Sequence, residues 1–274
     1  MNSNQLKLSA RDCQLVELNI LKKIDSICKK INISYWIMYG SLIGAVRHQG
    51  FIPWDDDLDI CMKRSDYDLF IDYCFLHKDD IAPFYIDHFS VNSNYPYYIA
   101  RFCDSRYKCV FQSMKYYSSG MFVDIYPFDG MGNDFSYWEK RFKRIKHLHE
   151  IIYHGNTDGL FHGASILSKI YHFPNALLGK LRNREYYLVK MDKMAKVFDW
   201  EESEYVGLTT WCSYLVKIKK EWFDETLYLD FEDMKVPVPY KYDELLTAVY
   251  GNYMELPPEE QRKSSHGYTV YKPL

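Results

Sequence analysis

Four carboxylates fall within five positions, Asp55, Asp56, Asp57 and Asp59, directly after the run Phe51-Ile52-Pro53-Trp54. From there Leu58, Ile60 and Met62 alternate with Asp57, Asp59 and Cys61. The alternation predicts a strand with one apolar and one acidic face. Residues two apart on a strand share a face, so Asp57 and Asp59 project together. Two such carboxylates repel, and burying them is costly unless a cation neutralises the pair. Hard divalent cations with oxygen ligands, Mg²⁺ above all and Mn²⁺ beside it, meet that need. The segment therefore predicts a metal site set into a sheet.

At 274 residues the chain is long enough for a full core. A formal charge of −3 argues against nucleic acid as a partner. The seven cysteines are scattered without a CxxC pair, which predicts reduced thiols. The polar start MNSNQLKLSARD is no signal peptide, and no apolar run is long enough to span a bilayer. The expected location is the cytoplasm.

Ser9 and Asp12 predict a capping box, and Leu18, Leu21, Ile24, Ile27 and Ile31 recur at helical spacing behind it. Tyr35 to Tyr39 reads as a short buried strand ending at Gly40-Ser41, with a helix starting at Leu42. A strand, a Gly-Ser turn and a helix together offer free amides to a phosphate, with Gly40 admitting the ligand and Ser41 adding a hydroxyl. Arg47 and His48, at the end of that helix, are within reach of a phosphate or a sugar. Ser65 to Leu76 predicts a helix buried through Tyr67, Phe70, Ile71 and Cys74. Aromatic strands follow at 84–89, 97–102 and 107–111. Arg101 sits inside the second of them, an odd place for a cation unless it faces a charged ligand. In Gly120 to Phe128 the alternation predicts a strand ended by Pro127. Its one acid, Asp124, needs a partner if buried. Should this strand lie beside the Asp57/Asp59 strand, Asp124 completes a three-carboxylate cluster.

From Phe135 to His154 the pattern is helical and basic, a face suited to solvent or to peripheral contact with anionic lipid at the inner face of a membrane. Residues 164–198 read as helical with a break near Pro174. A hairpin is predicted over 222–238 with its turn at Glu232-Asp233, then a helix from Tyr242 to Tyr250 stopped by Gly251, then an irregular tail. The expected fold is α+β, a mixed β-sheet with flanking helices and a helical insertion. It divides into a catalytic core over 1–130, a helical subdomain over 131–215, and a C-terminal part over 216–274 that packs back on the core.

A phosphate-anchoring turn beside a three-acid cradle is what phosphoryl or nucleotidyl transfer requires. Without a GxxxxGK[S/T] loop, P-loop chemistry is excluded. Asp55, Asp57 and Asp59 match the first ligand positions of an EF-hand, but Ile60 stands where that loop needs glycine.

The run YGSLIGAVRHQGFIPWDDDLDI resembles the signature of the LicD family, and the resemblance continues at GMFVDIYPFDG and at VPVPYKYDELLTAVYGNYMELPPEEQRKSSHG. It implies a nucleotidyltransferase-like mixed β-sheet and a phosphotransferase that moves a phospho-alcohol from a CDP-linked donor to a sugar hydroxyl and releases CMP. The leading expectation is phosphocholine from CDP-choline onto a bacterial surface glycan, the saccharide acceptor being lipid-linked in some cases. CDP-ribitol or CDP-glycerol as donor, or an NTP in true nucleotidyl transfer, are the alternatives, and a non-catalytic glycan-binding module is a further one. By position, Asp57 and Asp59 fall on the family's metal-binding pair and Asp124 on its third acid. Asp55 falls on an acid of the same motif, and Arg262 and His266 match its tail. A quaternary ammonium calls for aromatic walls, for which Trp54, Tyr95, Tyr97, Tyr98, Tyr116 and Tyr117 are the candidates.

Overall fold

The computed structural model describes residues 5–112, 117–156, 165–263 and 267–273. A short strand β1 (Gln5–Lys7) leads into helix α1 (Ala10–Ile31), whose capping box closes as expected: Ser9 accepts the Asp12 N–H and Asp12 accepts the Ser9 N–H. Strand β2 (Trp36–Ile37) is followed at once by α2 (Tyr39–His48), then by β3 (Asp59–Lys63) and α3 (Arg64–Leu76). Helix α3 buries Tyr67, Phe70, Ile71 and Cys74, the four residues its periodicity singles out. A single turn α4 (Lys78–Ile81) precedes β4 (Phe84–Asp87), β5 (Ala100–Phe111) and β6 (Ser118–Gly132). Helices α5 (Ser136–Asn156), α6 (Ile166–Leu181) and α7 (Arg184–Ala195) come next. The chain returns through β7 (Tyr205–Gly207), β8 (Ile218–Lys219), the hairpin β9 (Thr226–Phe231) and β10 (Met234–Pro239), α8 (Tyr242–Tyr250) and β11 (Tyr268–Pro273).

Strands β1, β11, β5, β6, β3 and β2 run across the main sheet in that order, with β4 beside β5 and β7 beside β6. The β3–β6 pair is parallel and the other pairings are antiparallel, so the sheet is mixed and the class is α+β. Helices α1 and α3 cover it, and the core runs from Ile20, Leu21 and Ile24 through Ile60, Met62 and Phe70 to Val123 and Ile125. The β9–β10 hairpin turns at Glu232-Asp233 as expected. Glu232 there accepts Arg11 in a 2.6 Å ion pair and the Phe51 N–H at 3.3 Å, which ties the hairpin to α1 and to the loop after α2.

Several boundaries differ from the sequence reading. The expected strands at 97–102 and 107–111 merge into one, β5, which starts only at Ala100 and whose register against β6 shifts between Asp104 and Cys109. That irregularity breaks the alternation and splits the pattern in two. Strand β6 does not end at Pro127. Its pairing with β5 stops at Ile125 and that with β7 starts at Asp129, so a residue without an N–H is tolerated between them. Helix α6 likewise runs through Pro174, and the interruption comes at Arg182-Asn183, where Asn183 caps α7. The tail is not irregular throughout: β11 pairs with β5, a contact that local pattern does not encode. All seven cysteines are free thiols. Among the described residues no helix is long and apolar enough to cross a membrane.

Candidate active site

Parallel pairing of β3 with β6 sets Asp59 directly opposite Asp124. Both are buried, at 7% and 8% exposure, and both project from the face that also carries Tyr126, two residues after Asp124. Asp57 lies in the segment just before β3 rather than within it, so it reaches the site from a loop. The Tyr126 phenol is pushed well up by burial and then by the charges of Asp59, Asp124 and Asp57. Burial raises Tyr250 too, with Asp59, Asp55 and Asp57 among the charges that act on it. Asp59 thus lines the pocket, and Asp124 and Asp57 act with it on the same phenol of the pocket wall. Sequence spacing alone left this convergence conditional.

Arg101 stands opposite Asp124 on its other side, in register on β5. Its Nε donates to Asp124 Oδ1 at 2.7 Å, and its guanidinium lies 3.8 Å from the centre of the Phe122 ring and 4.0 Å from that of Tyr97. The cation expected to face a ligand is therefore buried between two rings and orients a carboxylate of the chain itself. Burial is the largest single influence and opposes its charge, but Asp124 together with the phenols of Tyr95, Tyr97 and Tyr117 raises its pKa and holds the guanidinium charged.

Helix α2 begins earlier than expected, so Gly40 and Ser41 lie in its first turn instead of ahead of it. A Cβ on Gly40 would come 2.9 Å from Asp55 Oδ2, so glycine here leaves room for the Asp55 carboxylate over the helix start. Ser41 Oγ accepts the Asp59 N–H at 2.9 Å and so pins the first residue of β3. Tyr39 takes a left-handed φ of 52°, unusual for a ring-bearing residue and a sign that the pocket's geometry overrides local preference. At the other end of α2, Arg47 donates to the Tyr253 carbonyl at 2.7 Å and to His48 Nε2 at 3.0 Å. His48, its pKa lowered by burial and then by Arg47, packs edge-on to Trp54. Arg262 stacks over the same Trp54. His266 and Tyr116 lie outside the described residues.

Beside Asp59 opens a cavity of about 310 Å³ walled by Tyr39, Tyr126, Trp211, Tyr214 and Tyr250. These are not the aromatic residues expected from proximity in sequence. Tyr95 and Tyr98 are core residues, Tyr97 covers Arg101, and Tyr117 donates to buried Asp87 at 2.7 Å. Tyr126 was within reach of a period-two argument from Asp124. Trp211 and Tyr250 arrive from distant segments and carry no local signal.

Glu17 on α1 is a further residue that the sequence reading did not single out. It is fully buried, and neither carboxyl oxygen has a hydrogen-bond partner among the described residues. Burial, and then the charges of Asp57, Asp56 and Asp55, push it far above the ordinary carboxylate range and favour its neutral form. Its place in the α1 periodicity is that of a core residue, and only its type marks it out.

Asp59 on the pocket wall, with Asp124 in register beside it and Asp57 two residues before it, offers only carboxylate oxygens, which suit a hard cation and not zinc. Among the described residues no three such side chains are already arranged to hold a metal ion. The fit to Mg²⁺ therefore rests on the oxygen-only chemistry of the set and on the Asp59–Asp124 register.

The family model described as LicD/FKTN/FKRP, nucleotidyltransferase domain, matches residues 32–166, which span α2, the acidic loop, β3 and β6. The lipopolysaccharide cholinephosphotransferase LicD of Haemophilus influenzae (strain ATCC 51907 / DSM 11121 / KW20 / Rd) is 32% identical over 295 residues, covering 97% of this chain and 98% of its own. A shorter similarity, 53% identical over 47 residues, links 17% of this chain to 18% of an uncharacterized protein of Rickettsia prowazekii (strain Madrid E). A protein of Rickettsia typhi (strain ATCC VR-144 / Wilmington) matches to the same degree over 15% of its length.

Proposed function

Because the chain belongs to the LicD family of transferases, we propose that it moves phosphocholine from CDP-choline to a sugar hydroxyl of a bacterial surface glycan. The acceptor oxygen bonds to the phosphorus of phosphocholine, the bond from that phosphorus to CMP breaks, and the hydroxyl proton passes to a carboxylate. The observation that carries the reading is the register of Asp59 against Asp124, with Asp59 on the wall of an aromatic cavity. Asp57 and Asp59 would hold Mg²⁺ or Mn²⁺, which supplies charge neutralisation at the diphosphate. Asp124, fixed by Arg101, serves as third ligand or as general base. Asp55 and the first turn of α2, with Gly40 and Ser41, border the diphosphate. Arg47 and His48 brace the C-terminal segment against that helix. Tyr39, Tyr126, Trp211 and Tyr250 offer ring faces to a trimethylammonium group that has no hydrogen bond to give.

A donor panel of CDP-choline, CDP-ribitol, CDP-glycerol and CTP tests this. CMP release from CDP-choline, abolished by EDTA and restored by Mg²⁺ or Mn²⁺, is expected. Pyrophosphate release from CTP would overturn the reading in favour of nucleotidyl transfer.

A further inference from the structure

Helix α6 is built the wrong way round for a helix of a water-soluble domain. The side it turns into the protein carries Asn175, Ala176 and Gly179, small or polar residues. The side it turns outward carries Ile170 at 67% exposure, Phe173, Leu177, Leu178 and Leu181 at 68%. At about 100° per residue, positions 170, 173, 177 and 181 fall on one stripe, with 171 and 178 flanking it. The helix cannot simply roll over to hide them. Gly179 packs against Gly155 of α5, and a Cβ on Gly179 would stand 2.5 Å from the Ile151 carbonyl oxygen and 2.7 Å from Gly155 Cα. Asn175 locks the same side by donating to Glu150 at 3.1 Å.

Charge gives the second observation. Residues 135–197 hold 12 Lys and Arg against 5 Asp and Glu, a net of +7 in a chain whose formal charge is −3. On α5 the residues Lys140, Arg141, Lys143, Arg144 and Lys146 are exposed, and Lys180 and Arg182 are exposed at the end of α6. The helix has 16 residues, about 24 Å of rise, short of the roughly 30 Å of a hydrocarbon core. Apolar surface on a short helix with basic surroundings fits a position in the interface of an anionic bilayer, not across it.

We infer that α6 docks this protein on an anionic membrane surface, with Ile170, Phe173, Leu177 and Leu181 in the headgroup boundary and the basic residues of α5 and α6 against the lipid phosphates. This face is separate from the acid-lined cavity, and its test does not depend on which reaction the cavity performs.

Flotation of the full chain with vesicles of phosphatidylcholine, with and without phosphatidylglycerol, reads the inference directly. The chain is expected to float with the phosphatidylglycerol vesicles, to float far less with phosphatidylcholine alone, and to be released as salt is raised. A Leu177→Glu/Leu181→Glu variant should lose at least about tenfold in partitioning. Leu76→Glu, an equally exposed leucine on α3, should lose nothing. Should the double variant fold poorly, Lys180→Gln/Arg182→Gln keeps the apolar stripe and should weaken binding to the anionic vesicles only. Equal binding to both vesicle types without salt dependence, or no binding to either, would overturn the inference. So would α6 variants that change the size of the protein in solution and leave vesicle binding untouched.

Discussion

The β3–β6 seam and helix α6 place charge and apolar surface in opposite ways. At the seam Asp59 and Asp124 are buried, Arg101 is buried with them, and the reverse sides of the same strands hand Ile60, Val123 and Ile125 to the core. On α6 Ile170, Phe173, Leu177, Leu178 and Leu181 face out and Ala176 faces in. The charges divide the same way: 135–197 carries +7, leaving 22 basic against 32 acidic residues in the rest of the chain. Burying carboxylates costs free energy, and so does exposing leucines. A fold that does each in a different place keeps the proposed reacting site apart from the proposed membrane-facing side.

The largest expected effect falls on the seam. Asp59→Asn, and likewise Asp57→Asn, should lower turnover by about 10³-fold or more, since the proposed cation loses a ligand and the diphosphate its counter-charge. The thermal midpoint should hold or rise, because a repelling charge is gone. An Asp59→Asn enzyme with full activity would remove the metal assignment and with it the contrast between the two regions.

Much of the seam was legible in the sequence because period-two alternation and residue type speak together. Asp57, Asp59 and Asp124 could be picked out, and Tyr67, Phe70, Ile71 and Cys74 could be set on one helix face. What the pattern withheld was non-local. The in-register pairing of Asp59 with Asp124, the stacking of Arg101 between Tyr97 and Phe122, and the arrival of Trp211 and Tyr250 at the cavity depend on which strands and segments become neighbours. The apolar face of α6 was missed for a different reason. Alternation of apolar and polar residues shows that a helix has two sides, and the usual assumption sends the apolar side inward. Gly155 and Gly179, which reverse that choice, look like helix weak points until their close crossing is seen.

Unfolding stability separates the two regions as well. Leu188 of α7 is fully buried whereas Leu177 of α6 is 48% exposed. Leu188→Ala should cost roughly 2–5 kcal/mol and Leu177→Ser no more than about 0.5 kcal/mol in denaturant unfolding. A large loss at Leu177 would mean that α6 is packed in solution. At the seam, Arg101→Met should cost about 3–5 kcal/mol by leaving Asp124 buried without its counter-charge.

Glu17 sharpens the account of the acidic side through pH. Its folded pKa is raised, so below the ordinary value of 4.5 both folded and unfolded chains hold the proton and the group costs nothing. Above that value the unfolded chain releases the proton while the folded chain retains it. Stability should therefore fall with rising pH, by up to about 1.4 kcal/mol per unit, until the folded pKa is passed. Glu17→Gln should remove this slope, so its advantage in thermal midpoint grows from pH 5 to pH 8. Parallel melting curves with a constant offset would show that Glu17 is already ionised in the folded protein.

The smallest effect concerns the cavity wall. Tyr250 is partly exposed and presents its ring to the space beside Asp59. A ring face over a cation at so open a site contributes about 0.5–1 kcal/mol, which is roughly a two- to fivefold change in affinity. Tyr250→Leu keeps the bulk and loses the quadrupole, so KM for CDP-choline should rise by that factor with kcat little changed. CDP-glycerol, which carries no cation, supplies the internal control. Equal losses with both donors would assign Tyr250 to the diphosphate or the ribose. A loss confined to CDP-choline would place the trimethylammonium group against this wall and orient the donor with its phosphorus toward Asp59.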